Sequence, residues 1–315
     1  MQATVSQQKK KSAGFRLKKA LKRYWQLYLL LALPVLYVLI FSYKPMAGIQ
    51  IAFKKFSARE GIWGGDWVGF YYFAKFFDTY KFWEILRNTL VISVYQVIAQ
   101  IPIPIILALC INCIRNKGYK KTVQMLSYMP HFISTVVMVS MLMQLFNTRS
   151  GLIVLMFRSI GIEIGDIFAS PAAFPHLFVW SGVWQNAGWG TIIYLAALAG
   201  VDPAQHEAAI VDGATRFQRC IYVDFPVIIP TMVILLIMDM GRVMSLGFEK
   251  VYLMQNDLNI SASEIISTYV YKIGLTGSAD YSYSTAISLF NSVVNLVLII
   301  LTNAFSRKVS GSGLF

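Results

Sequence analysis

Long runs without a charged side chain are the feature that most limits how this sequence can fold. A helix needs about 20 apolar residues to cross the hydrocarbon core of a membrane, and five runs reach that length. They are Tyr24–Tyr43, Asn88–Ile114, Thr122–Thr148, Ile167–Val201 and Tyr281–Ser306. A sixth apolar segment extends from Phe225 to Phe248 and contains two charged residues, Asp239 and Arg242. The sequence therefore predicts six membrane crossings.

The composition agrees with a chain that lies mostly in lipid. Of its 315 residues, 57% are hydrophobic and 14% are charged, whereas a soluble domain carries about 25% charged residues. This difference excludes an ordinary soluble enzyme and indicates an all-α polytopic membrane protein with six transmembrane helices. The predicted spans lie near 25–43, 86–112, 124–146, 176–199, 227–247 and 283–304. They form a domain over 24–306, between a basic tail, 1–23, and a short tail, 307–315.

The distribution of charge predicts the orientation of the chain. With six crossings both ends lie on one side, and that side would hold 16 basic and four acidic residues, against 11 and 10 on the other. Loops rich in Lys and Arg face the cytoplasm, so we expect a multi-pass protein of the bacterial cytoplasmic membrane with both termini inside. The net charge of +13 is thereby explained without a nucleic-acid partner.

The predicted cytoplasmic loop 200–226 is more elaborate than a connection requires. Asp202-Pro203 is typical of a helix start, and Gly213 would end that helix. A second helical turn then carries Arg216 and Arg219 into the fifth span. A helix resting on lipid headgroups would be richer in basic residues and poorer in acidic ones. The pattern therefore favours a compact helix-turn-helix that docks on a partner.

The spacing within this loop resembles a known signature. Glu207-Ala208-Ala209, Gly213 after three more residues, and Val223-x-Phe225-Pro226 after nine more resemble the EAA loop of binding-protein-dependent ABC transporter permeases. Val223 and Phe225 replace Ile and Leu of that pattern. The segments 196–203 and 212–214 are similar to carbohydrate-uptake permeases of the maltose type. Within that group the segments 247–253, 268–271 and 281–284 look like the lipoprotein/polysaccharide-permease branch, which includes alginate and pectic-oligosaccharide importers.

The resemblance implies a type I ABC importer permease fold with a cytoplasmic coupling helix. It implies four partners, namely a second homologous permease, two ATPase subunits and an extracellular solute-binding protein. The residues expected to couple to the ATPases are Glu207, Ala208, Ala209, Asp212, Gly213, Arg216 and Pro226. Since the chain has no Walker-type phosphate loop, ATP and Mg would be used by the ATPase subunits, and this chain would bind no cofactor and be no enzyme.

Polar residues inside the predicted spans are the candidates for a substrate pathway, because such residues usually face a cavity or each other. The candidates are Trp184, Gln185, Asn186, Trp189, Asp239, Arg242, Ser245, Glu249, Asn291 and Asn295. Aromatic faces with amides suit sugars, although contacts between helices are an equally open interpretation. Asp239 and Arg242 can pair along one helix, or Arg242 can attract the carboxylate of an acidic oligosaccharide.

The expected function is thus passage of an oligosaccharide, with an ion-coupled secondary transporter as the alternative. The sequence contains no catalytic triad, paired carboxylate or metal-ligand cluster. Cys110-x-x-Cys113 lacks a second pair, and His131 and His176 at span ends were assigned no role. The sequence leaves open which sugar is carried and which subunit holds the main substrate site.

Overall fold

A computed structural model describes residues 22–245, 247–276, 279–310 and 313 of the chain. The predicted N-terminal tail, 1–23, falls almost entirely outside these residues. Within them the backbone is helical, and the β-structure is a single isolated bridge between Lys54 and Trp67. The expectation of an all-α chain is therefore confirmed for the described residues.

Thirteen helices, numbered here in chain order, are used below. They are α1 (Trp25–Phe53), α2 (Tyr71–Phe77), α3 (Phe82–Asn112), α4 (Lys117–Tyr128), α5 (Thr135–Leu145), α6 (Leu152–Ser159), α7 (Phe174–Leu198), α8 (Pro203–Val211), α9 (Arg216–Met240), α10 (Phe248–Met254), α11 (Ile260–Ser263), α12 (Ile266–Leu275) and α13 (Tyr281–Ser310).

Four of these helices are long and apolar enough to cross a membrane, namely α1, α3, α9 and α13. A fifth crossing results if the bent pair formed by Lys117–Phe132 and Thr135–Leu145 counts as one span. The predicted fourth span is α7, a helix of 25 residues with a length of about 37 Å at 1.5 Å per residue. Helix α7 is not among the helices that are both long and apolar enough to span. The described residues thus support four or five crossings, and the sixth stays a prediction.

The predicted third span is not a straight helix. The segments Lys117–Phe132 and Thr135–Leu145 meet at 95°. Pro130 lies in the last turn before this break, a 3-10 turn over Met129–Phe132, and has no backbone N–H to donate to the helical ladder. Ser134 starts the next helix, because its hydroxyl accepts a hydrogen bond from the backbone N–H of Val137 at 3.3 Å. Uniform hydrophobicity concealed this change of direction.

The fifth and sixth spans have other bounds than expected. The fifth begins at Arg216 rather than near 227, and it ends at Met240, so Arg242 lies in a turn beyond the helix. The predicted helix-turn-helix is therefore one short helix followed by the first turn of a membrane helix. The last helix continues to Ser310 and takes up much of the predicted tail 307–315.

The described helices bury three apolar clusters. One joins α3, α5, α7 and α10 around Phe178 and Met138, and a second joins α2, the start of α3, α12 and α13 around Phe76 and Ile287. A third, smaller cluster packs the end of α3 against α7 and α9 around Ile228. Helix α7 contributes residues to the first and third of these clusters, and so it positions the polar residues described below.

The first helix differs from the others in its surroundings. Its most apolar window has no residue buried within the chain, and the side chains of Leu30 and Leu33 are 71% and 74% exposed. Contiguous apolar surface of this size marks contact with lipid or with another protein. Only the end of α1, around Ala52, packs against α13.

Candidate functional site: a polar cavity and a projecting coupling segment

The segment from Asp202 to Gly213 folds into a short projecting helix. The Asp202 carboxylate accepts a hydrogen bond from the backbone N–H of Ala204 at 2.9 Å and so caps the start of α8. Gly213 has a φ of 78° and ends the segment. Such a φ is strained for any residue with a Cβ. Both boundaries agree with the sequence expectation.

Most of the expected coupling residues lie on the surface of this segment. Ala209 is half-buried, and the exposed residues are Glu207, Ala208, Asp212, Gly213, Arg216 and Pro226. Two large apolar side chains accompany them, since Ile210 is 54% and Val211 86% exposed. The segment thus presents apolar and charged groups together. The role of these residues in coupling to an ATPase stays a prediction.

The expected span-four residues Gln185, Asn186 and Trp189 contact the bend between α4 and α5. The Gln185 amide donates to the carbonyl oxygen of Ile133 at 2.7 Å. The ring nitrogen Nδ1 of His131 lies 3.0 Å from Oδ1 of Asn186, and the His131 ring stacks on Trp189 at 4.5 Å. These contacts favour the interpretation of helix-to-helix contact for the three residues, and they place His131 at the centre of the cluster.

Trp184 lies apart from this cluster and is 53% exposed. The neighbouring Trp180 donates from its indole nitrogen to the Tyr95 hydroxyl at 2.7 Å, and that hydroxyl lies 2.9 Å from Nδ1 of His176. His176 therefore joins α3 to α7 within the bundle. The sequence contained no signal for this contact, because residues 95 and 176 are far apart along the chain.

The span-five residues line a polar cavity of about 240 Å³ between α3 and the end of α9. Asp239, Arg242 and Ser245 line it from one side, as the sequence predicted. Ser93, Gln96 and Gln100 line it from α3 and were missed by the sequence analysis. Their signal was present, since positions 93, 96 and 100 share one face of a helix inside an otherwise apolar run.

Two features of this cavity suit a polar ligand. Asp239 and Arg242 form no ion pair with each other, nor with other described residues, so both remain available. The side-chain N–H of Gln96 donates to Oε1 of Gln100 at 3.0 Å. The Oε1 atom of Gln96 itself is buried and has no hydrogen-bond partner among the described residues. A buried amide oxygen without a donor is costly and indicates a place for a hydroxyl group.

Of the remaining expected pathway residues, Asn295 lies beside this cavity, whereas Asn291 and Glu249 do not line it. Asn295 donates to the Ser245 hydroxyl at 2.9 Å and accepts from the backbone N–H of Met244 at 3.0 Å, so it fixes the turn that carries Ser245. Asn291 lines a second cavity of about 370 Å³. Glu249 is exposed and lines neither cavity. The structure thus brings Asp239, Arg242, Ser245 and Asn295 together, and separates Glu249 from them.

An ionic cluster ties the connection before α12 to the start of α3. The Glu264 carboxylate is 3% exposed and contacts Lys81 at 2.8 Å and Lys272 at 3.0 Å. Burial alone would raise the pKa of Glu264, but the hydrogen bonds from both lysines outweigh it, so the pKa lies below its ordinary value. The hydrogen bond to Glu264 raises the pKa of Lys81. This cluster fixes α12 against the start of α3.

The described residues contain no group of three His, Cys, Asp or Glu side chains arranged to hold a metal ion. Cys110, Cys113 and Cys220 are free thiols.

Comparisons with known proteins agree with this architecture. The profile of the family described as binding-protein-dependent transport system inner membrane component matches residues 100–311. Protein LplB of Bacillus subtilis is 45% identical over 94% of this chain and 93% of its own length. The polygalacturonan/rhamnogalacturonan transport system permease protein YteP of the same organism is 40% identical over 92% and 90%.

Solved structures give the same result. A chain in the crystal structure of a bacterial alginate ABC transporter, in complex with an alginate pentasaccharide-bound periplasmic protein, superposes with a TM-score of 0.87. The two sequences are 36% identical, and the match covers 95% of this chain and all of the other. A permease of this kind is a transport subunit rather than an enzyme, and the alternative of an independent ion-coupled carrier is set aside. The chain belongs to the family of binding-protein-dependent transport system inner membrane components, the permease subunits of ABC importers.

Proposed function

We propose that this permease carries an acidic oligosaccharide through the cavity between α3 and α9. The observation that carries the proposal is the unpaired Arg242 beside Asp239 and the amides of α3. A guanidinium group binds a carboxylate through two parallel hydrogen bonds, while Asp239 and Gln96 suit sugar hydroxyls. The similar permeases named for polygalacturonan and alginate transport support a uronate-like substrate.

The proposed assembly follows the same relatives. The chain would pair with a second homologous permease and two ATPase subunits that use ATP and Mg, and would receive its sugar from an extracellular solute-binding protein. Six spans would place both termini in the cytoplasm of a bacterium, with α7 as the fourth crossing. Helix α8, with Glu207 and Gly213, would dock on an ATPase. Closure of the ATPases would then shift the spans between inward- and outward-open states.

The test of the substrate uses the complete transporter reconstituted in proteoliposomes with its binding protein. Uptake of an oligogalacturonate is compared with uptake of the same oligomer after methyl esterification, which removes the charge. Wild type should favour the acidic form. Arg242→Gln should lower uptake of the acidic oligomer about tenfold, because one charge-assisted hydrogen-bonding group is lost.

A matched variant is Arg149→Gln, which removes an exposed arginine far from the cavity and should leave the preference unchanged. Equal uptake of both oligomers by wild type would contradict the acidic substrate while leaving the importer intact. Absence of ATP-dependent uptake of any sugar would contradict the transport function itself.

A further inference from the structure

A second polar cavity lies at the other end of α3, where this helix ends and α9 begins. It has a volume of about 190 Å³. It joins the end of α3 to residues 202–224, called here the coupling segment, which comprise α8 and the start of α9, because its walls come from both. Its lining includes Cys113, Arg115, His206, Arg216, Arg219 and Asp224.

The charges around this cavity are unbalanced. Asp224, the one carboxylate in the lining, is 4% exposed and contacts Nε2 of His206 at 3.1 Å. In the described part of the chain Arg115, Arg216 and Arg219 form no ion pair. Three guanidinium groups therefore converge on a space that holds a single acidic group already engaged with a histidine.

Arg219 provides an independent observation. Its Nε is buried and has no hydrogen-bond partner among the described residues. A buried N–H group of a charged side chain is costly when it is left unpaired. Together with the two neighbouring arginines, this unpaired N–H indicates that a negatively charged hydrogen-bond acceptor is bound here in the functional protein.

The position of the cavity limits what that acceptor is. Cys113 directly follows α3, an apolar helix of 31 residues, and Arg219 lies in the first turn of α9, an apolar helix of 25 residues. The cavity thus lies where two spans leave the hydrocarbon core. Phe217 and Tyr222 beside it are 72% and 76% exposed and offer an apolar surface to acyl chains.

We propose that this cavity binds a phosphate group, supplied by the headgroup of an anionic phospholipid. Phosphate oxygens accept paired hydrogen bonds from arginine forks, and basic pockets between spans on the cytoplasmic side suit anionic headgroups. A bound phosphate bridges Arg115 after α3 to Arg216 and Arg219 in the coupling segment. The lipid therefore holds the coupling segment in place against the bundle. Free inorganic phosphate shares this chemistry, and the experiment separates the two sources.

The experiment uses the intact transporter purified through a tag on this chain, in neutral detergent at constant ionic strength. Its thermal midpoint is measured with added phosphatidylglycerol, with phosphatidylcholine or with inorganic phosphate. Phosphatidylglycerol should raise the midpoint and phosphatidylcholine should not. A rise with inorganic phosphate alone would assign the cavity to free phosphate. No rise with phosphatidylglycerol or inorganic phosphate would overturn the site.

Two double variants separate the cavity from general attraction between charges. Arg115→Gln with Arg219→Gln should weaken phosphatidylglycerol retention at least about tenfold, since two charge-assisted groups are lost. Arg59→Gln with Arg149→Gln removes the same charge from exposed positions elsewhere and should retain the lipid. Equal losses in both double variants would overturn the proposal.

A labelling measurement avoids dependence on variants that fold poorly. Cys113 lines the cavity, whereas Cys110 does not, and both thiols are exposed. In the wild-type chain phosphatidylglycerol should slow maleimide labelling of Cys113, read by mass spectrometry, more than that of Cys110. Equal labelling rates at Cys113 with and without the lipid would also overturn the proposal.

Discussion

Glu264 is a buried carboxylate whose charge is paired with two lysines. Its carboxylate is 3% exposed between Lys81 and Lys272, so Glu264→Gln leaves two lysines without their partner. We expect a loss of about 2 kcal/mol in the free energy of unfolding, less than for a fully buried pair because both lysines are partly solvated. Thermal unfolding in detergent measures the loss.

The pH dependence of this cluster has a definite sign. Because the folded pKa of Glu264 lies below its ordinary value, its contribution is present above about pH 4.5 and is lost as the pH falls through the folded pKa. Glu264→Gln should therefore reduce the acid sensitivity of the midpoint. The matched variant is Asp280→Asn, whose partner Lys75 is 44% exposed and which should cost less than about 1 kcal/mol. Equal effects of the two variants would contradict this assignment.

Gly213 allows a prediction about coupling. Its φ of 78° costs a residue with a Cβ about 1–2 kcal/mol, so Gly213→Val should displace α8 from the start of α9. Uptake should fall about tenfold with normal membrane insertion, measured by transport and by surface labelling. Gly165→Val is the control, because a Cβ at Gly165 meets no atom within 4 Å and its φ is not positive. Normal uptake by Gly213→Val would contradict the coupling role of α8.

At the scale of single residues, the sequence identified several of the polar and charged side chains in the cavity but not all of their contacts. Asp239, Arg242 and Ser245 were expected in a pathway and line one cavity. His131 was not expected to matter, because a single histidine at a span end gives no signal. Its stacking on Trp189 depends on a contact between residues far apart in the chain.

Gly188 controls how closely two elements approach. A Cβ at this position would lie 1.9 Å from the backbone carbonyl oxygen of Ser127, so α4 rests directly on α7. Gly188→Ala should push α4 away and lower the free energy of unfolding by about 1–3 kcal/mol, read as a lower thermal midpoint. Uptake should fall as well, because the bend at His131 packs on the same part of α7.

The control for this prediction lies on the same helix. A Cβ at Gly182 would approach only Nζ of Lys250, the far end of a long side chain, at 3.1 Å, so Gly182→Ala should have a much smaller effect. A midpoint unchanged by Gly188→Ala would show that α4 does not depend on this contact.

The helices were predicted well where the length of an apolar run defines them. They were predicted less well where single prolines and charged residues set their bounds. Helices α1, α3 and α13 correspond to predicted spans, since their length and composition leave few alternatives. The bend after Pro130 was missed, because prolines are tolerated inside membrane helices and do not by themselves show where a helix turns. The early start of α9 was missed since Arg216 was assigned to a separate turn.

At the scale of the whole molecule, the exposed surfaces indicate contact with lipid or with further subunits. Helix α1 buries almost nothing within the chain, and α8 projects apolar and charged side chains away from it. The sequence predicted both elements, but hydrophobicity does not distinguish a lipid contact from a subunit contact. Members of this family are components of transport systems, so the next question is which of the proposed partners cover these surfaces.

A pull-down from native membrane through a tag on this chain addresses that question. In mild detergent we expect recovery of a second permease and an ATPase, with ATP hydrolysis in the eluate. Glu207→Lys reverses the charge on the exposed side of α8 and should lower recovery of the ATPase about tenfold. The second permease should be retained, because its proposed contact lies on the spans and not on α8. Glu163→Lys makes the same change of charge on an exposed residue of another loop and should recover both partners. Loss of the ATPase with both variants, or with neither, would show that docking of the ATPase does not depend on Glu207. Helix α8 would then be interpreted as an interfacial helix on the lipid surface.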